Sequence, residues 1–191
     1  MKPDREQMPQ GFEFIAVRPH MTDVIDGVAE IARLLQPEHG SGAPLTERDR
    51  ARGALVSDFT AADYRAFAAK YQNFYAIREI ATGRIAAFRW LYGPDDAPDE
   101  RDPGTKVIRE LFGAVYVGKQ IGVHPDYQGL GLGVALVNWT MNTLKADVYN
   151  VVLGDNERSL QFHIRQGYEP LHSFEAKGHA RTIFVKRYSA N

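Results

Sequence analysis

Hydrophobic and polar residues alternate over residues 12–18 (FEFIAVR), a period of two that predicts a half-buried strand stopped by Pro19. The period then lengthens. Val24, Val28, Ile31 and Leu35 recur at helical spacing behind Thr22 or Asp23 as cap, which predicts a first helix. Residues 36–54, rich in Gly, Pro and charge, break both patterns and read as a long loop or a mobile lid. A second helix is predicted over 60–70, followed by strands at 74–80 and 84–92 joined as a hairpin through Ala81-Thr82-Gly83. A turn-rich acidic stretch, 93–106, precedes the strongest strand pattern in the chain, 111–123 (LFGAVYVGKQIGV), which ends at His124-Pro125. Residues 134–144 place Val134, Val137, Met141 and Leu144 on one helical stripe, and 148–153 is a short strand. Asp155 or Asn156 caps a further helix that ends at Gly167. The tail supplies strands at 168–176 and 180–188, joined at Lys177-Gly178. No repeat, low-complexity tract or linker divides the chain. The expectation is a single domain over 1–191, of the α/β (α+β) class, with a mixed central sheet flanked by helices.

Composition narrows the function. The chain has 191 residues, 44% hydrophobic and 25% charged, which is ordinary for a globular protein with a real core. With 23 Lys plus Arg against 24 Asp plus Glu, the net charge of −1 argues against a nucleic-acid partner held by bulk electrostatics. The absence of cysteine removes disulfides, thiolate nucleophiles, iron–sulfur clusters and Cys-ligated zinc, and fits a cytoplasmic location. The charged N-terminus lacks the apolar core of a signal peptide. Residues 127–144 carry no charge, about the length of a spanning helix. Gln128, Asn138, Thr140, Asn142, Thr143 and three glycines make that stretch too polar for hydrocarbon, so no membrane partner is expected.

The most informative segment runs Ile121-Gly122-Val123-His124-Pro125-Asp126-Tyr127-Gln128-Gly129-Leu130-Gly131-Leu132-Gly133. A strand ends, a glycine-bearing loop follows and a buried helix starts, which aims several backbone N–H groups at one point and suits a phosphate. The same pattern also serves as a tight turn with helix–sheet packing glycines. A nucleotide P-loop is excluded, because Val134-Ala135 stand where Lys and Ser/Thr are required. The dinucleotide fingerprint fails on spacing, with glycines at 129, 131 and 133 and five residues between strand and loop.

Gln128, Gly131 and Gly133 instead supply the pattern Gln/Arg-x-x-Gly-x-Gly/Ala after a strand, which resembles the acyl-CoA-binding signature of the GNAT superfamily of N-acyltransferases. A second segment, residues 156–168 (NERSLQFHIRQGY), resembles that family's later helix, with Asn156, Ser159 and His163 on one face. The resemblance implies that the backbone of Gln128, Gly129, Leu130, Gly131, Leu132 and Gly133 cradles the pyrophosphate of coenzyme A. It implies that Ile121 and Val123, on a splayed strand, pair with the pantetheine arm, and that the Val123 N–H serves as oxyanion donor. Asn156 and Ser159 would lie along the pantetheine. His163 stands where the family usually has a Tyr that assists the departing thiolate, and is the catalytic candidate. With a reference pKa of about 6.5 against about 8.5 for a thiol, an imidazolium would protonate thiolate downhill, while a neutral ring would still offer one N–H. The implied activity is N-acetyl transfer from acetyl-CoA to a primary amine of a small molecule or a peptide by direct attack in a ternary complex. Implied too is a possible homodimer through the apolar tail at 180–185.

The rest of the reaction is less visible. Residues 114–123 hold no carboxylate where relatives often place a general base, and Glu110 just upstream reads as a solvated charge, so no base is assigned. The acidic stretch with Asp95, Asp96, Asp99, Glu100 and Asp102 reads as a solvated turn or a device for steering a cationic amine. Phe59, Tyr64, Phe67, Tyr71, Phe74 and Tyr75 read as core, or as a substrate wall. His172 and His179 lack a third ligand in pattern, so no metal is expected. Two alternatives stay open: a non-catalytic CoA-binding regulatory module on the same fold, and an unrelated phosphate-binding enzyme.

Overall fold

The computed structural model describes residues 8–40, 43–99 and 102–189. Seven strands form one mixed sheet in the order β1-β2-β3-β4-β5-β7-β6. They are β1 (Phe12–Ala16), β2 (Asn73–Glu79), β3 (Ile85–Tyr92), β4 (Tyr116–Val123), β5 (Val148–Leu153), β6 (Glu169–Ala176) and β7 (His179–Lys186). The helices are α1 (Thr22–Leu34), α2 (Glu47–Arg52), α3 (Ala61–Lys70), α4 (Pro103–Phe112), α5 (Leu132–Leu144) and α6 (Glu157–Arg165), with a 3₁₀ turn at Pro125–Tyr127. Among the described residues no helix is long and apolar enough to cross a membrane.

The period-two patterns sort side chains to the two faces of the sheet. Phe88, Trp90, Tyr92 and Val117 face α1, α3 and α4 in one core. Ala87, Leu91, Leu136, Val152 and Phe184 meet α5 in the other. Every residue of β3 is buried, so this strand is the spine of the molecule. Of the aromatics weighed as a pocket wall, Tyr64, Phe67, Tyr71 and Phe74 belong to the first core and Tyr75 to the second, with Phe59 packed against the first.

Three local expectations change. Residues 111–123 are not one strand: α4 occupies the chain through Phe112. The signal is Asp102-Pro103, a cap followed by proline at the first helical position; the Asp102 carboxylate accepts the Thr105 N–H at 3.2 Å. Residues 36–54 contain α2, held by a Thr46/Asp49 capping box. The first helix has Met21 at its N-cap and no side-chain cap bond. The tail strand expected to pair in a dimer also moves inward: β7 lies between β5 and β6, so it is not an edge.

One feature of the sheet positions everything that follows. β4 and β5 pair in parallel only at Tyr116/Val148, Val117/Tyr149 and Gly118/Asn150. Beyond that point β4 continues along β3 while β5 continues along β7, and the two part as a fork. The register of β4 against β3 skips Lys119, a bulge that turns the strand just where pairing with β5 stops. Gly118 makes the crotch possible, because a Cβ there would collide with the Asn150 side chain. Gly122, further out, lets β4 lie flat beneath Phe88 and α1; a Cβ would sit 2.7 Å from Phe88 Cε1 and 3.2 Å from Ile31 Cγ2. Gly122→Ala should therefore lower folding stability by about 1–3 kcal/mol through overpacking, read as a reduced denaturation midpoint in urea.

Candidate active site

The glycine segment wraps the open end of the fork. A cleft of about 370 Å³ is lined by Ile121 and Val123 of β4, by Gln128, Gly129, Gly131, Leu132 and Gly133, and by Asn156 and Ser159 of the α6 turn. Nine of the ten residues expected to hold acyl-CoA thus share one surface. Leu130 does not join them; its side chain is 50% exposed and faces solvent.

Two sets of unpaired backbone donors face this cleft. On β4, the His124 N–H donates to the Ala86 carbonyl at 2.9 Å. The alternation of an antiparallel ladder then turns the N–H groups of Ile121 and Val123 to the other edge, where β5 has already diverged. At the loop, Gly131 is the N-cap of α5 with φ +79 and no side chain closes that end, so the first-turn amides are free for an anion. Gly131 is required by its left-handed conformation more than by crowding, since a Cβ there meets nothing within 4 Å.

The sequence reading missed the cations of this cleft. Arg52 of α2 and Arg158 of α6 both line it. Arg158 donates to the Ala51 carbonyl and to Gln128 Oε1, each at 3.1 Å, and Asn156 Nδ2 donates to the Ala54 carbonyl at 2.9 Å. These bonds strap the segment around α2 across α6. Arg52 stood in no motif and Arg158 fills an unspecified position of the 156–168 segment; only the fold brings the two together.

A second chamber, about 140 Å³, fills the crotch of the fork. It shares Ile121, Asn156 and Ser159 with the cleft, and Lys119, Asp102 and Arg181 with a third cavity of about 280 Å³ on the far side. The three cavities thus adjoin one another along the fork, each sharing wall residues with the next. Loops rim the third cavity, with Ala43, Leu45 and Asp58 before α3, Asp99 before α4, and Lys177 and His179 of the β6–β7 hairpin, over a floor of Tyr92, Lys119, Leu153 and Arg181 from the sheet. Of the acidic stretch, Asp102 reaches the fork, where its carboxylate lies 2.7 Å from Lys119 Nζ. Burial alone would raise its pKa, but Lys119 and the Thr105 bonds outweigh burial and hold it below the usual carboxylate value. Asp96 is spent on the Gly93 N–H, and Glu100 lies outside the described residues. Glu110 is exposed on α4 and lines none of the three cavities.

His163 lines the fork chamber, not the cleft. Its Nδ1 lies 2.7 Å from the Ser159 carbonyl, which can only accept, so Nδ1 carries the proton. Nε2 then accepts from Asn150 Nδ2 at 2.9 Å. Burial pushes its pKa down to about 4, so the ring is neutral near pH 7.

The family model for the GNAT acetyltransferase family matches residues 30–168, from the first helix through the end of α6. The chain belongs to that family. GNAT membership makes it an acyl-CoA-dependent N-acetyltransferase with acetyl-CoA as co-substrate, and it favours the enzyme over the binding-only module. No curated protein sequence matches the chain. Among solved structures it resembles Ard1 from Thermoplasma volcanium, with TM-score 0.64 and 12% identity over 94% of this chain and 99% of that one. It also resembles NAA60 from Arabidopsis thaliana, solved with acetyl-CoA, with TM-score 0.61 and 12% identity over 92% and 99%. The ribosomal-protein-S18-alanine N-acetyltransferase from Escherichia coli follows with TM-score 0.54 and 16% identity over 94% and 96%. At these identities the likeness is one of GNAT fold.

Two outcomes follow from this geometry. Gly131→Val forces a β-branched residue into the left-handed region at about 1–2 kcal/mol and covers the α5 amides. It should weaken CoA binding at least about tenfold by calorimetry, while the circular dichroism stays native. The His163 pKa, depressed on folding, means the unfolded chain binds the extra proton between pH 6.5 and about 4. Its contribution to stability is full above pH 6.5 and is lost as pH falls towards 4, by roughly 3 kcal/mol. His163→Gln should flatten the fall in melting temperature across that window.

Proposed function

We propose that the protein acetylates a primary amine by direct attack in a ternary complex, with acetyl-CoA entering from the glycine-loop side and the amine from the loop-built far side. The observation that carries this reading is the unpaired β4 edge at the fork, where the three cavities adjoin. The amide of Val123 is the donor we assign to the thioester oxygen as it gains negative charge. The α5 amides, with Arg52 and Arg158, take the phosphates. The amine nitrogen bonds to the thioester carbon, the carbon–sulfur bond breaks with its electron pair passing to sulfur, and the proton lost by the new amide nitrogen passes to water, so that CoA leaves as thiolate.

His163 enters this scheme as a positioning residue. Its single N–H is committed to the Ser159 carbonyl and its lone pair orients Asn150, so we assign it the fork's geometry, not delivery of a proton. His163→Phe should lower kcat by roughly 10²-fold, with CoA affinity unchanged. His163→Gln, whose amide oxygen again accepts from Asn150, should recover part of that loss. A purely space-filling role predicts no such rescue.

Asp102 is held ionised by Lys119 and is a weak base. The amine therefore reacts as its free base, and kcat/KM should climb with pH until the acceptor's own pKa is passed. The reading is tested by thiol release from acetyl-CoA across small amines and peptides. CoA binding with no release on any of them would restore the regulatory-module alternative. The cofactor and the cysteine-free chain support a cytoplasmic location. Self-association through sheet pairing would use an edge strand, β6 or β1, and sedimentation equilibrium reads it.

A further inference from the structure

The crotch of the fork contains three buried polar atoms without a partner: Arg89 Nη1, Gln120 Nε2 and Asn150 Oδ1. Their residues are 1%, 6% and 8% exposed, and all three line the same 140 Å³ chamber. Each is held so that the free atom cannot be exchanged for its neighbour. Gln120 Oε1 accepts from both Tyr64 Oη at 2.8 Å and Trp90 Nε1 at 3.0 Å, which leaves the NH₂ end as the free donor. Asn150 gives its NH₂ to His163, which leaves the carbonyl end as the free acceptor. Arg89 donates one nitrogen to Tyr168 Oη at 3.1 Å. Among the described residues no carboxylate pairs with it, so the buried guanidinium faces a hydroxyl and not an anion.

An arginine buried without an anion is costly to fold around, and its planar fork matches a carboxylate. We propose that this chamber is a carboxylate subsite, in which Arg89 and Gln120 donate to a carboxylate carried by one of the two co-substrates. The acceptor is the source favoured here, because it alone also brings an amine N–H for Asn150 Oδ1. The substrate class is then an amino acid or a similar amine bearing an acid group. The acyl chain is the other source, as in a dicarboxylic acyl-CoA. This inference rests on the transferase reading above.

Thiol release by the wild-type protein separates the possibilities. With acetyl-CoA, amino acids should exceed their carboxamides in kcat/KM by about 10²-fold or more, and Arg89→Met should abolish that difference. A preference for succinyl-CoA over acetyl-CoA, lost in Arg89→Met, would assign the carboxylate to the acyl chain instead. Equal rates for acid and amide together with equal rates for the two acyl donors would overturn the subsite, and so would discrimination that survives in Arg89→Met. If Arg89→Met does not fold, the wild-type comparison decides alone. A thermal shift with the same acids and amides needs no turnover: acids that stabilise while CoA neither binds nor is cleaved would retain the subsite and remove only the transferase reading.

Discussion

Everything functional in this molecule depends on a sheet that declines to close. A β-sheet is stable because each strand satisfies the backbone of its neighbour, yet here β4 and β5 share three residue pairs and then separate. The unmade bonds leave donors of β4 facing a cavity, in a direction fixed by the intact ladder on the β3 side. Rigidity on one edge and vacancy on the other belong to the same strand. A buried eight-residue β3 holds β4 straight enough for those amides to point where they do.

The parting is stabilised by specific side chains. Lys119 supplies the extra residue, Gly118 lets Asn150 lie across the crotch, and the Asp102–Lys119 pair ties β4 to the start of α4. His163 and Asn150 hold one another in a single tautomer and a single amide orientation from the α6 side. A preorganised polar site in a low dielectric is the arrangement in which hydrogen-bond donors act most strongly on developing charge.

What could be read from the chain and what could not divide by distance in sequence. The glycine loop was legible because strand, turn and helix start are contiguous, and so were Asn156, Ser159 and His163, which share one helix face. Most of the strands and helices followed from periodicity alone. The fork was not legible from periodicity, because it arises from a choice of partners between strands more than twenty residues apart; only the GNAT resemblance implied a splayed strand at Ile121 and Val123. Arg89 was invisible for a similar reason: within IAAFRWLY it looks like the solvent-facing residue of a half-buried strand, and only the layers on both sides of β3 bury it. Asp102 is hidden among other acids, and the Gly, Pro and charge of residues 93–106 mask the cap-then-proline order that starts α4.

The far cavity has a consequence of a different kind. Its floor is the sheet, at Tyr92, Lys119, Leu153 and Arg181, but its rim comes from the segment before α3, the turn before α4 and the β6–β7 hairpin, which lie outside the buried spine. The cofactor end is built from a strand edge and a helix start that cannot change without disturbing the sheet. Mutational drift is thus partitioned: the face that selects the amine can diversify at little cost to folding, while the face that grips the donor stays fixed. A lineage built on this plan can acquire new acceptors by exchanging loops, keeping one chemical step in common.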